Sequence, residues 1–276
     1  MHKSLRSRLW IGGVTLIGVV AFLYPFLLPP QPPAEVVTTR LVRAEPIPDF
    51  SSFQQVTEKK RAFFSYLLPE IEKQNEIILS QRTFILALQS LWLAKDQKPD
   101  ALNPAQHERL AELAQEYNVK FPGLSATFFN KLLTKVDIIP KELVLVQAAN
   151  ESAWGTSRFA RQGYNFFGMW CYRKGCGFVP RQRDDDMNHE VAKYRSLSQG
   201  VAKYLNTLNR HFAYQDLRYI RAVLRKTQQP ITAEMLAEGL LHYSERGQAY
   251  VEELQAMIRV NRKHMKYAQE QKVENG

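Results

Sequence analysis

One buried helix is predicted by residues 140–155, whose sequence is PKELVLVQAANESAWG. Proline suits the first turn of a helix and glycine suits the position just after its last turn, so Pro140 and Gly155 mark the two ends. The residues between them are apolar nearly all the way round, which is typical of a helix inside a core. The exception is Glu151, in the last turn. The segment therefore predicts a core helix that ends in one acidic side chain.

Two effects on Glu151 act in the same direction. Burial against apolar neighbours such as Trp154 and the negative end of the helix dipole both raise the pKa of a carboxyl group. A carboxylic acid that stays protonated near neutral pH is the general acid that cleavage of a glycosidic bond requires. The alternative is a helix end that meets solvent, or an ion pair with Arg158 or Arg161.

The residues that follow extend this pattern to Glu-Ser-x-Trp-Gly-x-Ser-x-x-Ala-x-x-x-x-Asn-x-Phe-Gly over residues 151–168. The pattern resembles the signature of the bacterial glucosaminidase family, glycoside hydrolase family 73, and the resemblance covers residues 124–268. It implies a lysozyme-like fold, mainly α-helical (α+β), whose helical lobe and small β-hairpin lobe flank a groove for peptidoglycan glycan strands. The implied reaction is hydrolysis of the β-1,4 bond after N-acetylglucosamine, with no cofactor.

The resemblance also assigns roles to residues around the acid. The catalytic acid is Glu151, and its neighbour Ser152 is expected to orient groups and contact substrate at the base of the groove. Asn165 and Phe167 lead into the second lobe and are expected to contact substrate, although a capping role suits Asn165 equally well.

Two late tyrosines match those of the family. Tyr243 and Tyr250 are seven residues apart in the sequence, which places them on one face of a helix. In a substrate-assisted reaction, the 2-acetamido group of the sugar attacks C1 and a tyrosine hydroxyl steadies it. Tyr243 is the better candidate for this catalytic position in the groove. Tyr250 is a candidate substrate contact, and a core position is its alternative.

A second acidic residue is expected from the mobile hairpin, where its position varies within the family. Glu190, beside the returning strand at residues 191–194, is the first candidate, and Asp184, Asp185 and Asp186 stay open. An inverting enzyme needs this carboxylate about 6.5–9.5 Å from the acid, a retaining enzyme needs a nucleophile, and a substrate-assisted enzyme needs neither.

Cys171 and Cys176 bracket a short loop with the turn-forming Gly175, so their side chains are able to meet across it. Outside the cytoplasm a disulfide is the natural interpretation. A catalytic thiol would need an activating histidine, and the nearest in sequence, His189, lies beyond a charged loop. Because the two cysteines also lack partners at zinc spacing, no metal site is predicted.

The N-terminus predicts a membrane anchor. Three basic residues within residues 1–8 precede twenty uncharged residues, 9–28, which is long enough to span a bilayer. Prolines follow the span where a small-residue cleavage site would end a signal peptide, so we expect an uncleaved helix. The positive-inside rule places the remaining residues outside the inner membrane, which in a bacterium is the periplasm. A stiff proline-rich linker is predicted over residues 29–50.

Three further segments complete the predicted organisation. Residues 51–123 read as a helical extension without catalytic motifs, made of helices at 53–68, 69–93 and 104–117. Residues 124–268 form the catalytic domain, and residues 269–276 form a polar tail that is expected to fray.

A net charge of +10, from 37 basic and 27 acidic residues, favours acidic partners. The basic residues are scattered and no nucleic-acid recognition motif is present, so the predicted partners are glycan strands and the inner membrane. Two alternatives stay open: a lytic transglycosylase, which also uses one acid after a buried helix, and a non-catalytic wall-binding protein. The Asn-x-Phe-Gly spacing and the cysteine pair favour the glucosaminidase.

Overall fold

The computed structural model describes residues 46–180 and 189–275. The predicted anchor at residues 9–28 and the tail before it lie outside the described residues, as do most of the linker and the three acids Asp184, Asp185 and Asp186. The elements in chain order are α1 (Val56–Ala94), α2 (Pro104–Glu116), α3 (Ala126–Lys135), α4 (Lys141–Glu151), α5 (Arg158–Gly163), β1 (Trp170–Cys171), β2 (Gly177–Phe178), β3 (Glu190–Ala192), α6 (Leu197–Arg210), α7 (Gln215–Lys226), α8 (Ala233–Ala237) and α9 (Gln248–Asn275). This mainly helical fold with a small sheet confirms the predicted lysozyme-like α+β class.

The long helix α1 packs against α4, α6 and α9. Its inner face is apolar and fully buried near the N-terminal end, from Phe63 to Ile71. The sequence predicted two helices divided at Pro69, but the structure has one helix with Pro69 inside it. Burial of the helix on both sides of the proline compensates for the backbone hydrogen bond that proline removes.

By length and composition α1 is also the one helix of the described residues that is able to cross a membrane. It contacts five other helices, α2, α3, α4, α6 and α9, which is the arrangement of a core helix. The residues of α1 and α2 share one hydrophobic core with those of α3 to α9. The predicted helical extension is therefore packed into the same body as the predicted catalytic domain.

The predicted core helix corresponds to α4, and the side chains from Leu143 to Ala149 are all buried. Its N-terminal cap is Pro140 and its last residue is Glu151. Beyond the helix, the Ser152 hydroxyl accepts a hydrogen bond from the Gly155 amide at 2.8 Å. This turn ends the helix and reverses the chain immediately after the acid.

The second lobe holds three short antiparallel strands, with β3 between β1 and β2. Trp170 lies opposite Val191 in one pair, and Gly177 lies opposite Ala192 in the other. The sequence predicted a single hairpin in this lobe. A third strand is added because the chain turns back at the cysteine loop and places β2 on the free edge of β3.

The last helix, α9, continues to Asn275, whereas the sequence predicted a frayed tail from residue 269. It lies along α1, and the Lys272 ammonium donates to the Glu72 carboxylate at 2.7 Å. Lys141 binds the other oxygen of the same carboxylate at 2.8 Å. These charge pairs join the end of the chain to α1 and α4, which explains why the helix continues.

Candidate active site

Glu151 is half-buried at the end of α4, where it meets the first turn of α9. The Tyr250 hydroxyl donates a hydrogen bond to its Oε1 atom at 2.9 Å. The Asn150 side-chain amide lies 3.5 Å from the same oxygen. The carboxyl group is thus held by neutral donors on two sides, and neither Arg158 nor Arg161 forms an ion pair with it among the described residues.

A chain of buried side chains fixes the position of the Tyr250 proton. The Tyr204 hydroxyl donates to Gln147 Oε1, and Gln147 Nε2 donates to the Tyr250 oxygen at 3.1 Å. Because the Tyr250 oxygen accepts from Gln147, its own proton is directed to Glu151. Gln147 is one helical turn before Glu151, so α4 carries both the acid and the group that orients its partner.

Burial raises the pKa of Glu151 above its ordinary value. The hydrogen bonds from Tyr250 and Asn150 act against this shift because they stabilise the ionised form, and the nearby charge of Glu253 adds to it. The net effect is a carboxyl group that holds its proton at higher pH than an exposed glutamate. This is the property that a general acid requires.

The second oxygen of Glu151, Oε2, faces Gly168. A side-chain carbon added at Gly168 would lie 3.7 Å from Oε2, and this residue has a left-handed φ of 63°. Glycine tolerates this conformation and keeps the backbone close to the acid without covering it. Within the described residues Oε2 has no hydrogen-bond partner. The proton of the neutral acid is therefore expected on Oε2.

Tyr243 and Tyr250 are close in space but do not share a helix. Tyr243 lies in the turn before α9, whereas Tyr250 is in the first turn of α9. Their rings stack at a centroid distance of 5.6 Å, and the Tyr243 hydroxyl donates to the Phe167 carbonyl at 2.9 Å. The tyrosine assigned to the core by sequence, Tyr250, is buried and also binds Glu151. The tyrosine assigned to the groove, Tyr243, contacts the backbone of the second lobe.

The three other predicted substrate contacts have buried side chains. Ser152 donates to the Ala148 carbonyl at 2.5 Å. The Asn165 side chain donates to the carbonyls of Met169 and Ala192, both at 2.9 Å, which corresponds to the capping alternative. Phe167 stacks on Tyr204. The contacts described for these residues are internal and shape the wall behind Glu151, so their binding to substrate stays a prediction.

Glu190 lies in the second lobe at 5% exposure. Its two carboxylate oxygens accept hydrogen bonds from the backbone amides of Gly175, at 2.9 Å, and Gly177, at 2.7 Å. Cys171 and Cys176 are joined by a disulfide beside it. Cys171, Cys176 and Glu190 are residues of types that bind metal ions, and within the described part of the chain their side chains lie close together. The disulfide, however, leaves no thiolate to bind a metal.

Four residues near Glu151 were not found by sequence analysis. Gln147 and Tyr204 are fully buried members of the hydrogen-bond chain, and Tyr214 and Glu253 lie close enough for their charged forms to interact with Glu151. Gln147 alone had a local signal, since it is a polar residue four positions before Glu151 in an apolar helix. The other three approach the site through tertiary contacts.

Comparison with known proteins identifies the family of the chain. The family model described as mannosyl-glycoprotein endo-beta-N-acetylglucosaminidase matches residues 126–263. Protein bax of Escherichia coli strain K12 is 34% identical over 222 residues, which cover 80% of this chain and 76% of that protein. No solved structure matches the chain. The range matched by the family model contains Glu151 and every other predicted site residue.

Proposed function

The chain belongs to the glucosaminidase family, and from this premise we propose that it hydrolyses peptidoglycan at the β-1,4 bond after N-acetylglucosamine. The observation that carries the proposal is Glu151, a half-buried carboxyl with a raised pKa. One of its oxygens is held by Tyr250, and the other lies beside Gly168 without a hydrogen-bond partner among the described residues. A glycosidase needs such an acid next to the leaving oxygen.

In the first step, Glu151 Oε2 gives its proton to the glycosidic oxygen as the bond from that oxygen to C1 of N-acetylglucosamine breaks. The bonding electron pair leaves with the oxygen. The acetamido oxygen of the same sugar forms a bond to C1, so no protein nucleophile is used. In the second step, the Glu151 carboxylate removes a proton from water, and the resulting hydroxide attacks C1 and opens the ring formed by the acetamido group.

The hydrogen bonds that the Glu190 carboxylate accepts support this substrate-assisted route. Both oxygens of its carboxylate are used by backbone amides, so a role as base would break two hydrogen bonds of the second lobe. An inverting route would use one of the three acids at residues 184–186, which lie outside the described residues. Replacement of each acid by asparagine tests that route, because an inverting enzyme that lost its catalytic base would lose its activity.

A lytic transglycosylase is the second candidate, because it too needs a single acid. That reaction cuts after N-acetylmuramic acid and leaves an anhydro end, formed by attack of the sugar's own hydroxyl in place of water. The hydrogen bonds between Glu190 and the two backbone amides are equally compatible with this chemistry. The identity of the new chain ends separates the two reactions.

The decisive experiment incubates the full-length chain, purified in detergent, with isolated peptidoglycan. The Glu151→Gln variant removes the acid, and the Glu142→Gln variant makes the same change in the first turn of the same helix. Products are reduced with borohydride and identified by mass spectrometry. Reduced N-acetylglucosamine ends from the unaltered and Glu142→Gln chains alone support the proposal. Anhydro-muramic ends would establish the transglycosylase, and absence of products with retained glycan binding would indicate a binding protein.

We also propose that residues 9–28 anchor the chain in the inner membrane with its folded body in the periplasm. The support is the uncharged run after Lys3, Arg6 and Arg8. Protease added to spheroplasts is expected to degrade residues 46–275 while a tag at the N-terminus stays protected. Protection of the whole chain would contradict this orientation.

A further inference from the structure

Four tyrosines lie close enough to Glu151 for their charged forms to interact with it: Tyr204, Tyr214, Tyr243 and Tyr250. Three of them use the hydroxyl proton inside the protein. Tyr204 donates to a glutamine, Tyr243 donates to a backbone carbonyl and Tyr250 donates to Glu151. The Tyr214 hydroxyl has no hydrogen-bond partner among the described residues. Of the four, it is the one whose proton is still available to a ligand.

The Tyr214 hydroxyl faces the space between the two lobes. The side chain is half-buried. The buried side-chain polar atoms that lack a partner in the described part of the chain belong to four other residues, so the Tyr214 hydroxyl reaches the protein surface. Tyr172, a 76% exposed residue of the second lobe, is close enough for its charged form to interact with Tyr214. Tyr214 is thus near the acid on one side and near the second lobe on the other.

The backbone at Tyr214 is held in place by its own turn. Phe212–Tyr214 form one 3-10 turn between α6 and α7, and the Tyr214 amide donates to the His211 carbonyl at 3.2 Å. The buried Arg218 guanidinium donates to the same carbonyl at 2.8 Å. The Tyr214 ring packs against the Tyr243 ring at a centroid distance of 5.8 Å. Backbone and ring are therefore fixed before a ligand binds, which lowers the entropy cost of binding.

The Tyr214 hydroxyl keeps its proton over the pH range in which an acid such as Glu151 works. Burial, together with the charges of Glu151 and Tyr172, raises the pKa of Tyr214 above the ordinary value of a tyrosine. A neutral tyrosine hydroxyl is able to donate a hydrogen bond. Because Tyr214 is not bonded to Glu151, it does not compete with Tyr250 for the carboxylate.

The acetamido group of N-acetylglucosamine matches this position. It is attached to C2, next to the C1 atom whose bond to the leaving oxygen is cut, so a side chain that binds it must be near Glu151 without touching it. Its carbonyl oxygen accepts hydrogen bonds, and its methyl group suits the faces of the Tyr214 and Tyr243 rings. The hydroxyl groups of the sugar have no such methyl group. Tyr243, which the sequence favours for this position, donates its proton to the Phe167 carbonyl.

We propose that the Tyr214 hydroxyl donates a hydrogen bond to the acetamido oxygen of the N-acetylglucosamine unit that is cut, and so holds this oxygen beside C1. The inference rests on the proposed function, because it names the residue that positions the group which attacks C1. It adds a substrate contact that lies outside the sequence signature at residues 151–168.

The first test measures cleavage of soluble peptidoglycan fragments by the full-length chain in detergent. Tyr214→Phe removes the hydroxyl and keeps the ring. We expect kcat/KM to fall about tenfold, as loss of one hydrogen bond does, and thermal unfolding to stay unchanged because the hydroxyl has no partner in the described part of the protein. The control, Tyr219→Phe, removes an exposed hydroxyl in α7 and leaves both values unchanged. Unaltered kcat/KM in Tyr214→Phe would overturn the inference, as would a lower unfolding temperature, which would assign the hydroxyl to the fold.

A second test identifies the sugar group and does not depend on cleavage. In the Glu151→Gln background, calorimetry compares a β-1,4-linked tetramer of N-acetylglucosamine with the glucose tetramer of the same linkage, which has a hydroxyl in place of each acetamido group. Addition of Tyr214→Phe is expected to weaken binding of the N-acetylglucosamine tetramer about tenfold. Its effect on the glucose tetramer should be absent.

An equal loss on both tetramers would assign the hydroxyl to another sugar group and overturn the inference. Equal affinity of the two chains for the N-acetylglucosamine tetramer, or no binding of it, would also overturn the inference. If binding depends on Tyr214 but the unaltered chain cleaves no peptidoglycan, the proposed function fails and the acetamido contact stands.

Discussion

Two carboxyl groups, the buried Asp137 and the half-buried Glu151, have opposite surroundings. Asp137 is 2% exposed and binds Arg225 through two hydrogen bonds of 2.9 and 2.8 Å, with Arg82 at 3.4 Å from the same group. Glu151 has a tyrosine and an asparagine as donors and no cation in contact among the described residues. Burial is common to both, so the difference arises from their partners.

The pKa values of the two groups move in opposite directions. Burial alone would raise the pKa of Asp137, but the bonds with Arg225 and the charges of Arg221 and Arg82 outweigh it and hold the pKa below its ordinary value. For Glu151, burial outweighs the two neutral donors and the pKa is raised. Asp137 is ionised and connects two helices through Arg82 in α1 and Arg225 in α7. Glu151 keeps a proton that can be transferred. Four predictions test this contrast, starting with the largest expected effect.

Replacement of Glu151 by glutamine is expected to lower the rate of glycan cleavage about 1,000-fold, because the general acid is lost. The free energy of unfolding should not decrease, since glutamine keeps the hydrogen bond from Tyr250 and removes a buried ionisable group. Cleavage assays and urea denaturation of the full-length chain in detergent provide both values. A large loss of stability would mean that Glu151, like Asp137, holds the fold together.

Replacement of Asp137 by asparagine is expected to lower the free energy of unfolding by about 3–5 kcal/mol. The variant leaves the guanidinium of Arg221, which is 1% exposed, without its nearby carboxylate. Asp100→Asn, at an exposed position, is the matched control and should change stability little. Urea denaturation provides the comparison. A small effect at Asp137 would show that the backbone carbonyls around Arg221 suffice to stabilise it.

Removal of the Tyr250 hydroxyl in Tyr250→Phe is expected to lower kcat about tenfold, as loss of a hydrogen bond to a charged group does. That bond favours the ionised form of Glu151, so its loss raises the pKa of the acid further. The alkaline limb of the pH–rate profile should therefore move to higher pH. Tyr243→Phe, which removes the hydroxyl of the stacked neighbour, should leave this limb in place. If the alkaline limb stays in place in both variants, the Tyr250 hydroxyl does not influence the pKa of Glu151.

The smallest expected effect is on the pH dependence of stability. The pKa of Asp137 is lowered in the folded state, so its contribution is present above the unfolded pKa and is lost as pH falls through the folded pKa. The pKa of Glu151 is raised, so its contribution is present below the unfolded pKa and is lost as pH rises through the folded pKa. Urea denaturation over a pH series should show the Asp137→Asn deficit shrinking in acid. The free energy of unfolding of Glu151→Gln should increase relative to that of the unaltered chain as pH rises.

The sequence predicted the features that depend on local pattern. The apolar run with Pro140 and Gly155 at its ends was enough to predict α4 and to place Glu151 in its last turn. The spacing of residues 151–168 predicted the family and, through it, the lysozyme-like fold.

Features that depend on distant residues were not predicted. Asp137 and Arg225 are 88 positions apart in the chain, and no local pattern joins them. The seven-residue spacing of Tyr243 and Tyr250 assumed one helix, but Gly247 has a φ of 52° and α9 begins after it. That turn places Tyr250 against Glu151. The choice between the two tyrosines therefore depended on a chain reversal that the spacing did not reveal.

The clamp formed by the Glu190 carboxylate and the backbone amides of Gly175 and Gly177 restricts which positions of the cysteine loop accept substitution. A side chain at Gly177 would come within 1.9 Å of the Val191 carbonyl oxygen, so the position behind the loop is closed to substitution. The four residues between the two cysteines are all exposed. Substitutions at Tyr172, Arg173 and Lys174 therefore change the surface of that loop, while the left-handed Gly175, the disulfide and the hydrogen bonds to Glu190 preserve its shape.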